Sequence, residues 1–201
     1  MKYIIGIDEV GRGCLAGDVH AAAFMAPVDM KPVAGVDDSK KLTGTRRIVV
    51  SRSLQNASDT HFSIVSRPVS TIDHLGINKA VFECFREAAL NLMKKVPLES
   101  IECVKIDGKA PNPNQWAELQ GVRTEFIIHG DAIEWTIGAA SILAKVARDN
   151  YMVEMSKAYP GYGWDKNAGY GTPVHTYAIK KLGVTPIHRA KFCRNVLRQE
   201  S

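Results

Sequence analysis

The chain has 201 residues, 45% of them hydrophobic and 23% charged, with a formal net charge of +5. That is ordinary globular usage and long enough for one full core, which excludes a disordered chain, a fibrous repeat and a low-complexity polymer. Apolar runs such as Val19 to Val28 are too short for a bilayer span, and the first residues reach Asp8 before any signal-peptide core forms, so a cytoplasmic protein is expected.

Lys2 to Asp8 is a short apolar run closing on an acid and predicts a buried strand. Gly11, Gly13 and Gly17 then punctuate a turn. Val19 to Met25 predicts a second strand, and His61 to Val69, rich in β-branched residues, a third. Ser70 to Lys94 predicts a helix, with Ala80, Val81, Cys84, Phe85, Ala88, Ala89 and Leu92 recurring at three and four. Ile101 to Ile106 predicts a strand ending at Asp107-Gly108, and Glu125 to His129 another. Ile133 to Lys157 is a long helical pattern, Gly161 to Thr172 an ordered Gly- and aromatic-rich loop, and Val174 to Leu182 a last helix. This order predicts one mixed α/β domain, a central sheet flanked by helices with a helical C-terminal portion.

The four cysteines are scattered, with no zinc spacing, and predict reduced, buried thiols. The positive charge is uneven. Lys145 to Ser201 holds ten basic and four acidic residues, so the rest of the chain is nearly neutral. A basic flank suits contact with nucleic acid, though a solvated surface explains it equally well.

Asp8-Glu9 and Asp107 stand at the carboxyl ends of strands, where α/β sheets bind ligands. If those strands are neighbours, the carboxylates repel unless one is protonated or a cation lies between them. Oxygen-only ligands suit Mg²⁺ or Mn²⁺. Taken alone, Asp107 fits a plain Asp-Gly turn. Asp131 fits a capping box with Glu134, and Asp149 fits an ion pair with Lys145 one turn back.

Gly11 to Ala16 loosely matches a dinucleotide-binding pattern, but the adjacent acids oppose a pyrophosphate. There is no Walker lysine, and no Gly-x-Ser-x-Gly elbow supports a catalytic serine. Tyr159 to Thr172 interleaves aromatic residues with glycines and a lysine, which suits stacking on sugars or bases or, equally, a packed loop.

Together these pieces resemble ribonuclease HII, the type 2 ribonuclease H. The matching motifs are Gly6 to Gly13, Leu15 to Gly17, Asp38-Ser39-Lys40-Lys41-Leu42, Ile106-Asp107-Gly108 and Gly130-Asp131. They continue through Ala139 to Val146 with Arg148-Asp149, Tyr159 to Thr172 with His175, and Pro186 to Arg189. The resemblance implies an RNase H-like fold over residues 1–201, with the chain from about residue 159 forming a substrate-contacting loop and helix region. It implies hydrolysis of RNA in RNA/DNA hybrids and incision 5′ of single ribonucleotides in duplex DNA, leaving 3′-hydroxyl and 5′-phosphate ends.

By motif position Asp8, Glu9, Asp107 and Asp131 match the family's metal-binding carboxylates, implying two Mg²⁺ or Mn²⁺ ions, and Asp149 a supporting acid. Gly11, Arg12 and Gly13 match the loop that reads the ribose 2′-hydroxyl, and Tyr170 matches a tyrosine that stacks on the next deoxyribose. Lys40, Lys41, Lys145, Lys166 and Arg189 are candidate phosphate contacts. A monomer with no obligate protein partner and no membrane association is expected. Cys14 and Asp18 stand where the family usually has proline, which puts a thiol beside the loop and suggests sensitivity to oxidation there. A non-catalytic nucleic-acid-binding protein of the same fold is the alternative, opposed by the four retained acids.

Overall fold

The computed structural model describes residues 1–36, 42–109, 119 and 121–198. Lys40 and Lys41 lie outside the described residues.

The fold is organised by the period-two alternation of two buried strands. Strand β1 (Tyr3–Val10) pairs antiparallel with β2 (Val19–Pro27), and every residue of β2 is buried. Val19, Ala21, Ala23 and Met25 join one apolar cluster, and Ala22, Phe24 and Ala26 join another on the opposite face. A strand covered on both sides reads as a continuous apolar run, and its alanines let helices approach closely.

Helix α1 (Gly44–Gln55) is followed by β3 (His61–Arg67), α2 (Val69–Leu75) and α3 (Ile77–Met93). Next come β4 (Ile101–Asp107), β5 (Thr124–Ile127), α4 (Gly130–Ile133) and α5 (Trp135–Ala158). The chain closes with α6 (Trp164–Asn167), α7 (Pro173–Leu182) and α8 (Ala190–Leu197). The sheet order is β3-β2-β1-β4-β5, with β1, β4 and β5 parallel to one another and β2 antiparallel to both its neighbours. Helix α3 covers one face of the sheet, and α5 with α1 covers the other.

Two features of β1 set the geometry at its carboxyl end. Ile7 is in register with Ile106 of β4, so Asp8 and Asp107 come next at the carboxyl ends of adjacent parallel strands. Gly6 lies beneath the start of α5, where an added Cβ would stand 2.2 Å from the Thr136 carbonyl carbon. Only a residue without a side chain lets that helix rest on the strand.

The strands and the long helix fall where expected, and all four cysteines are free and buried. The helix expected over Ser70 to Lys94 is instead two, α2 and α3, because Gly76 takes φ +83° and ends α2 with a bond to Ile72 O. Asp131 does not cap the long helix. Glu134 does, accepting from Thr136 N, and it also pairs with Lys105 of β4. Helices α1 and α8 are not predicted from the sequence. No helix of the described residues is long and apolar enough to cross a membrane.

Candidate active site

Asp8 belongs to the face of β1 that carries Gly6, and is only 6% exposed. Its Oδ1 accepts the Glu9 N–H at 2.7 Å, and the Ser141 hydroxyl of α5 donates to the same carboxyl. Burial, reinforced by the negative charges of Glu9 and Asp107, pushes its pKa well above the usual carboxylate range. Glu9, on the other face, is also raised by burial, although the Arg12 guanidinium 3.3 Å away opposes the shift.

Asp107 accepts the Gly130 N–H at 2.7 Å, which ties β4 to α4. Gly130 is confined there: an added Cβ would lie 2.6 Å from Ile137 Cδ1 and 3.4 Å from Asp107 Oδ1. The next residue, Asp131, is buried at 8% exposure. The ends of β1 and β4 and the short α4 thus gather acids at one corner of the sheet, with α5 behind them. Among the described residues no three His, Cys, Asp or Glu side chains form a finished ligand cluster. The donors are all carboxylate oxygens, and the charges that weigh most on Asp8 are negative, so this corner fits a hard divalent cation.

Beside the acids runs the loop from Gly11 to Asp18, which two buried arginines hold from below. Arg148 donates to the carbonyls of Asp18 (3.0 Å), Ala168 (2.7 Å) and Ala16 (3.1 Å). Arg189 donates twice to Gly17 O, at 2.9 and 2.7 Å, and once to Arg12 O at 3.0 Å. Gly11 takes φ +88°, and an added Cβ would stand 2.1 Å from Arg148 Nε, so this glycine makes room for the arginine. The loop is also stitched to the aromatic segment, since Leu15 N donates to Gly169 O at 2.8 Å. Arg12 reaches across to Asn78 of α3 at 2.6 Å.

Tyr170 follows Gly169 and is 39% exposed at the surface. The Lys145 ammonium and the Arg148 guanidinium lie 5.8 and 5.9 Å from its ring centre. Burial, with the Cys14 thiol beside it, raises the Tyr170 hydroxyl above the usual phenol range. Cys14 is fully buried, and burial pushes its thiol up, away from the thiolate that an oxidant attacks. Asp18, the other departure, accepts the Tyr151 hydroxyl at 3.2 Å.

The Tyr170 carbonyl is 2.9 Å from His175 Nδ1, which must therefore be the protonated nitrogen. His175 Nε2 then accepts from Trp164 Nε1 at 2.9 Å. His188 Nδ1 accepts from Thr185 N at 2.8 Å, so its Nε2 carries a proton and donates to His175 Nε2 at 3.2 Å. Burial holds both imidazoles neutral, His188 down to about 4. The aromatic segment is therefore an internally bonded block presenting Tyr170, with the short helix α6 inside it.

The expected ion pair forms: Lys145 Nζ lies 2.7 Å from Asp149, which also receives Arg47 of α1 at 3.5 Å. Lys166 is exposed on α6, as a phosphate contact requires. Arg189, expected at a phosphate, lies elsewhere. It is 0% exposed with three N–H groups committed to carbonyls, so it cannot reach a phosphate. The dinucleotide reading also fails, because Gly11 to Ala16 joins two antiparallel strands and opens no helix. Ser141 and the loop-holding role of Arg148 went unrecognised in the sequence. A hydroxyl on the same helical face as Lys145 and Asp149 was the available signal for the first.

The family profile described as Ribonuclease HII matches residues 5–195. Ribonuclease HII of Thermosynechococcus vestitus is 38% identical over 198 residues, covering 98% of this chain and 87% of that protein. Among solved structures, the ribonuclease H2 of Pyrococcus horikoshii OT3 superposes with a TM-score of 0.76 at 23% identity, covering 96% of each chain. Bst-RNase HIII in complex with Mn²⁺ superposes with a TM-score of 0.74 at 16% identity, covering 98% of this chain and 69% of that one. The mixed sheet flanked by helices is the RNase H-like fold of these neighbours.

Proposed function

Because the chain belongs to the ribonuclease HII family and is a ribonuclease H, we propose that it is a metal-dependent endonuclease that cuts RNA in RNA/DNA hybrids and incises duplex DNA 5′ of a single ribonucleotide. The observation that carries this reading is the buried Asp8, held beside Asp107 by strand pairing and with Glu9 as its sequence neighbour. Carboxylates pushed together under low solvation favour a state in which a cation offsets their charge.

In this reading Asp8, Glu9, Asp107 and Asp131 hold Mg²⁺ or Mn²⁺, and the Mn²⁺ complex of Bst-RNase HIII is consistent with that choice. Divalent cations, when bound, activate water and stabilise the leaving 3′-oxygen, which ends as a 3′-hydroxyl opposite a 5′-phosphate. The protein's own residues orient the substrate. Ser141 and the Gly130 amide fix the directions of Asp8 and Asp107. The Gly11 to Gly13 backbone reads the 2′-hydroxyl, the group that separates RNA from DNA. Lys145 and Lys166 contact phosphates. The described chain acts as one catalytic unit, and the region from about residue 159 contacts the substrate.

The test uses end-labelled duplex DNA carrying one ribonucleotide, beside an all-DNA control, in Mg²⁺ and then Mn²⁺. One incision 5′ of the ribonucleotide and none in the control is the expected result. Folded protein that cuts neither duplex in either metal removes the catalytic assignment of the four acids.

Tyr170 stacks on the deoxyribose that follows the ribonucleotide, from a backbone set by His175. Tyr170→Ala is expected to slow single-ribonucleotide incision by roughly tenfold, since one stacking contact is typically worth about 1–3 kcal/mol. Melting should move little, because the ring is partly exposed. An unchanged incision rate rejects the stacking role.

A further inference from the structure

Arg189 lies wholly inside the protein, beneath a loop assigned to substrate recognition. A buried cation is costly unless its donors are satisfied, and here the acceptors are main-chain carbonyls. The double bond to Gly17 O fixes the plane of the guanidinium, which aims Nη1 at the Arg12 carbonyl.

That carbonyl shares one trans peptide plane with the Gly13 N–H, so the two point in opposite directions. With the carbonyl drawn inward, the N–H is turned toward the surface. Gly13 is exposed there, and a Cβ added to it would meet nothing within 4 Å. A cation on the carbonyl also polarises the amide and makes the N–H a stronger donor. Although burial lowers Arg189 to about 10, it stays charged at neutral pH.

We infer that Arg189 is a positioning residue for ribonucleotide recognition: it aims the Gly13 amide outward and strengthens it as a donor to the sugar hydroxyl. This rests on the proposed role of the glycine loop in reading the 2′-hydroxyl. A lysine in place of Arg189 keeps the charge but lacks the planar fork that joins Gly17 O and Arg12 O.

The experiment is equilibrium binding without divalent cations, so that nothing is cut. The probes are a labelled duplex DNA with one ribonucleotide and the same duplex in all-DNA form. Wild type is expected to prefer the ribonucleotide duplex. Arg189→Lys is expected to lose about tenfold of that preference, the scale of one strong hydrogen bond, while its affinity for the all-DNA duplex holds. A folded variant that keeps the full preference overturns the inference and leaves the loop reading intact. Equal weakening toward both duplexes overturns it as well, since that is a phosphate contact or a general collapse. Wild type without any preference removes the loop reading, and the inference with it.

A second measurement needs no variant. Leu15 N and Gly17 N donate to Gly169 O and Ile187 O, each at 2.8 Å, and their amide protons should exchange slowly. The Gly13 amide should exchange fast. A Gly13 amide as protected as those two overturns the inference whether or not the variant folds.

Discussion

Asp8→Asn is expected to abolish cleavage and, at neutral pH, to make the protein melt later. The carboxylate is buried, and its neighbours Glu9 and Asp107 repel it, so the folded state binds its proton more tightly than the unfolded chain does. With the folded pKa raised above the ordinary value of about 3.9, the Asp8 carboxyl costs stability at every pH above that value. The penalty is absent below it, grows as pH rises from there toward the folded pKa, and is complete above the folded pKa. An asparagine keeps an oxygen for the Glu9 amide and the Ser141 hydroxyl but carries no charge. Relief of that penalty raises Tm at neutral pH. The gain should shrink toward pH 4. Mg²⁺ or Mn²⁺ should raise the Tm of wild type and narrow the gap, because a cation offsets the same repulsion. Cleavage should fall on the order of 10³-fold, as several kcal/mol of charge stabilisation goes with the ligand. Melting curves across pH, with and without metal, check the first part, and the duplex assay checks the second. A variant that melts earlier at pH 7, or that still cuts at near wild-type rates, breaks the assignment of Asp8.

The placement of these acids was legible in the sequence because strands announce their ends. An apolar run that stops at Asp8-Glu9 and another that stops at Asp107 put carboxylates at the carboxyl ends of strands, where α/β sheets commonly bind ligands. What the sequence could not supply was adjacency, which depends on β4 pairing with β1 across nearly a hundred residues. Helix α1 was invisible for a different reason. Ile48 and Val49 are exposed, so its apolar residues form no stripe and mark no period. Arg189 was misread because a basic side chain in a basic flank gives no sign of its burial. The loop it serves did give one, since a turn with three glycines and few side chains leaves carbonyls that need donors. Tyr170 was legible as an aromatic among glycines, but the histidine pair that fixes its carbonyl spans Tyr162 to His188 in contact and has no local signature.

Gly11 and Gly13 should fail for opposite reasons when each is replaced by alanine. At Gly11 the backbone sits at φ +88°, and the new Cβ would stand 2.1 Å from Arg148 Nε and 2.7 Å from its Cδ. Arg148 cannot step aside cheaply. It is fully buried, and moving it breaks bonds to Asp18, Ala168 and Ala16 while leaving a charge without partners. Gly11→Ala is therefore expected to cost about 3–5 kcal/mol, a large share of a typical folding free energy, and to lower Tm by roughly 6–20 °C. Gly13 has neither constraint. Its φ is not in the left-handed region, and a Cβ meets nothing within 4 Å. Gly13→Ala should stay within about 0.5 kcal/mol of wild type in stability. If the substrate comes down on Gly13 as proposed, the added methyl stands in its way, and incision at a single ribonucleotide should drop by roughly tenfold, the scale of one lost hydrogen bond. Thermal melting separates the two variants first, and incision at a temperature where both are folded separates them again. Equal losses of Tm at the two positions would mean the loop is held differently from the bonds described. Full incision by Gly13→Ala would mean that the substrate does not come down on Gly13, and the 2′-hydroxyl must then be read elsewhere on the protein.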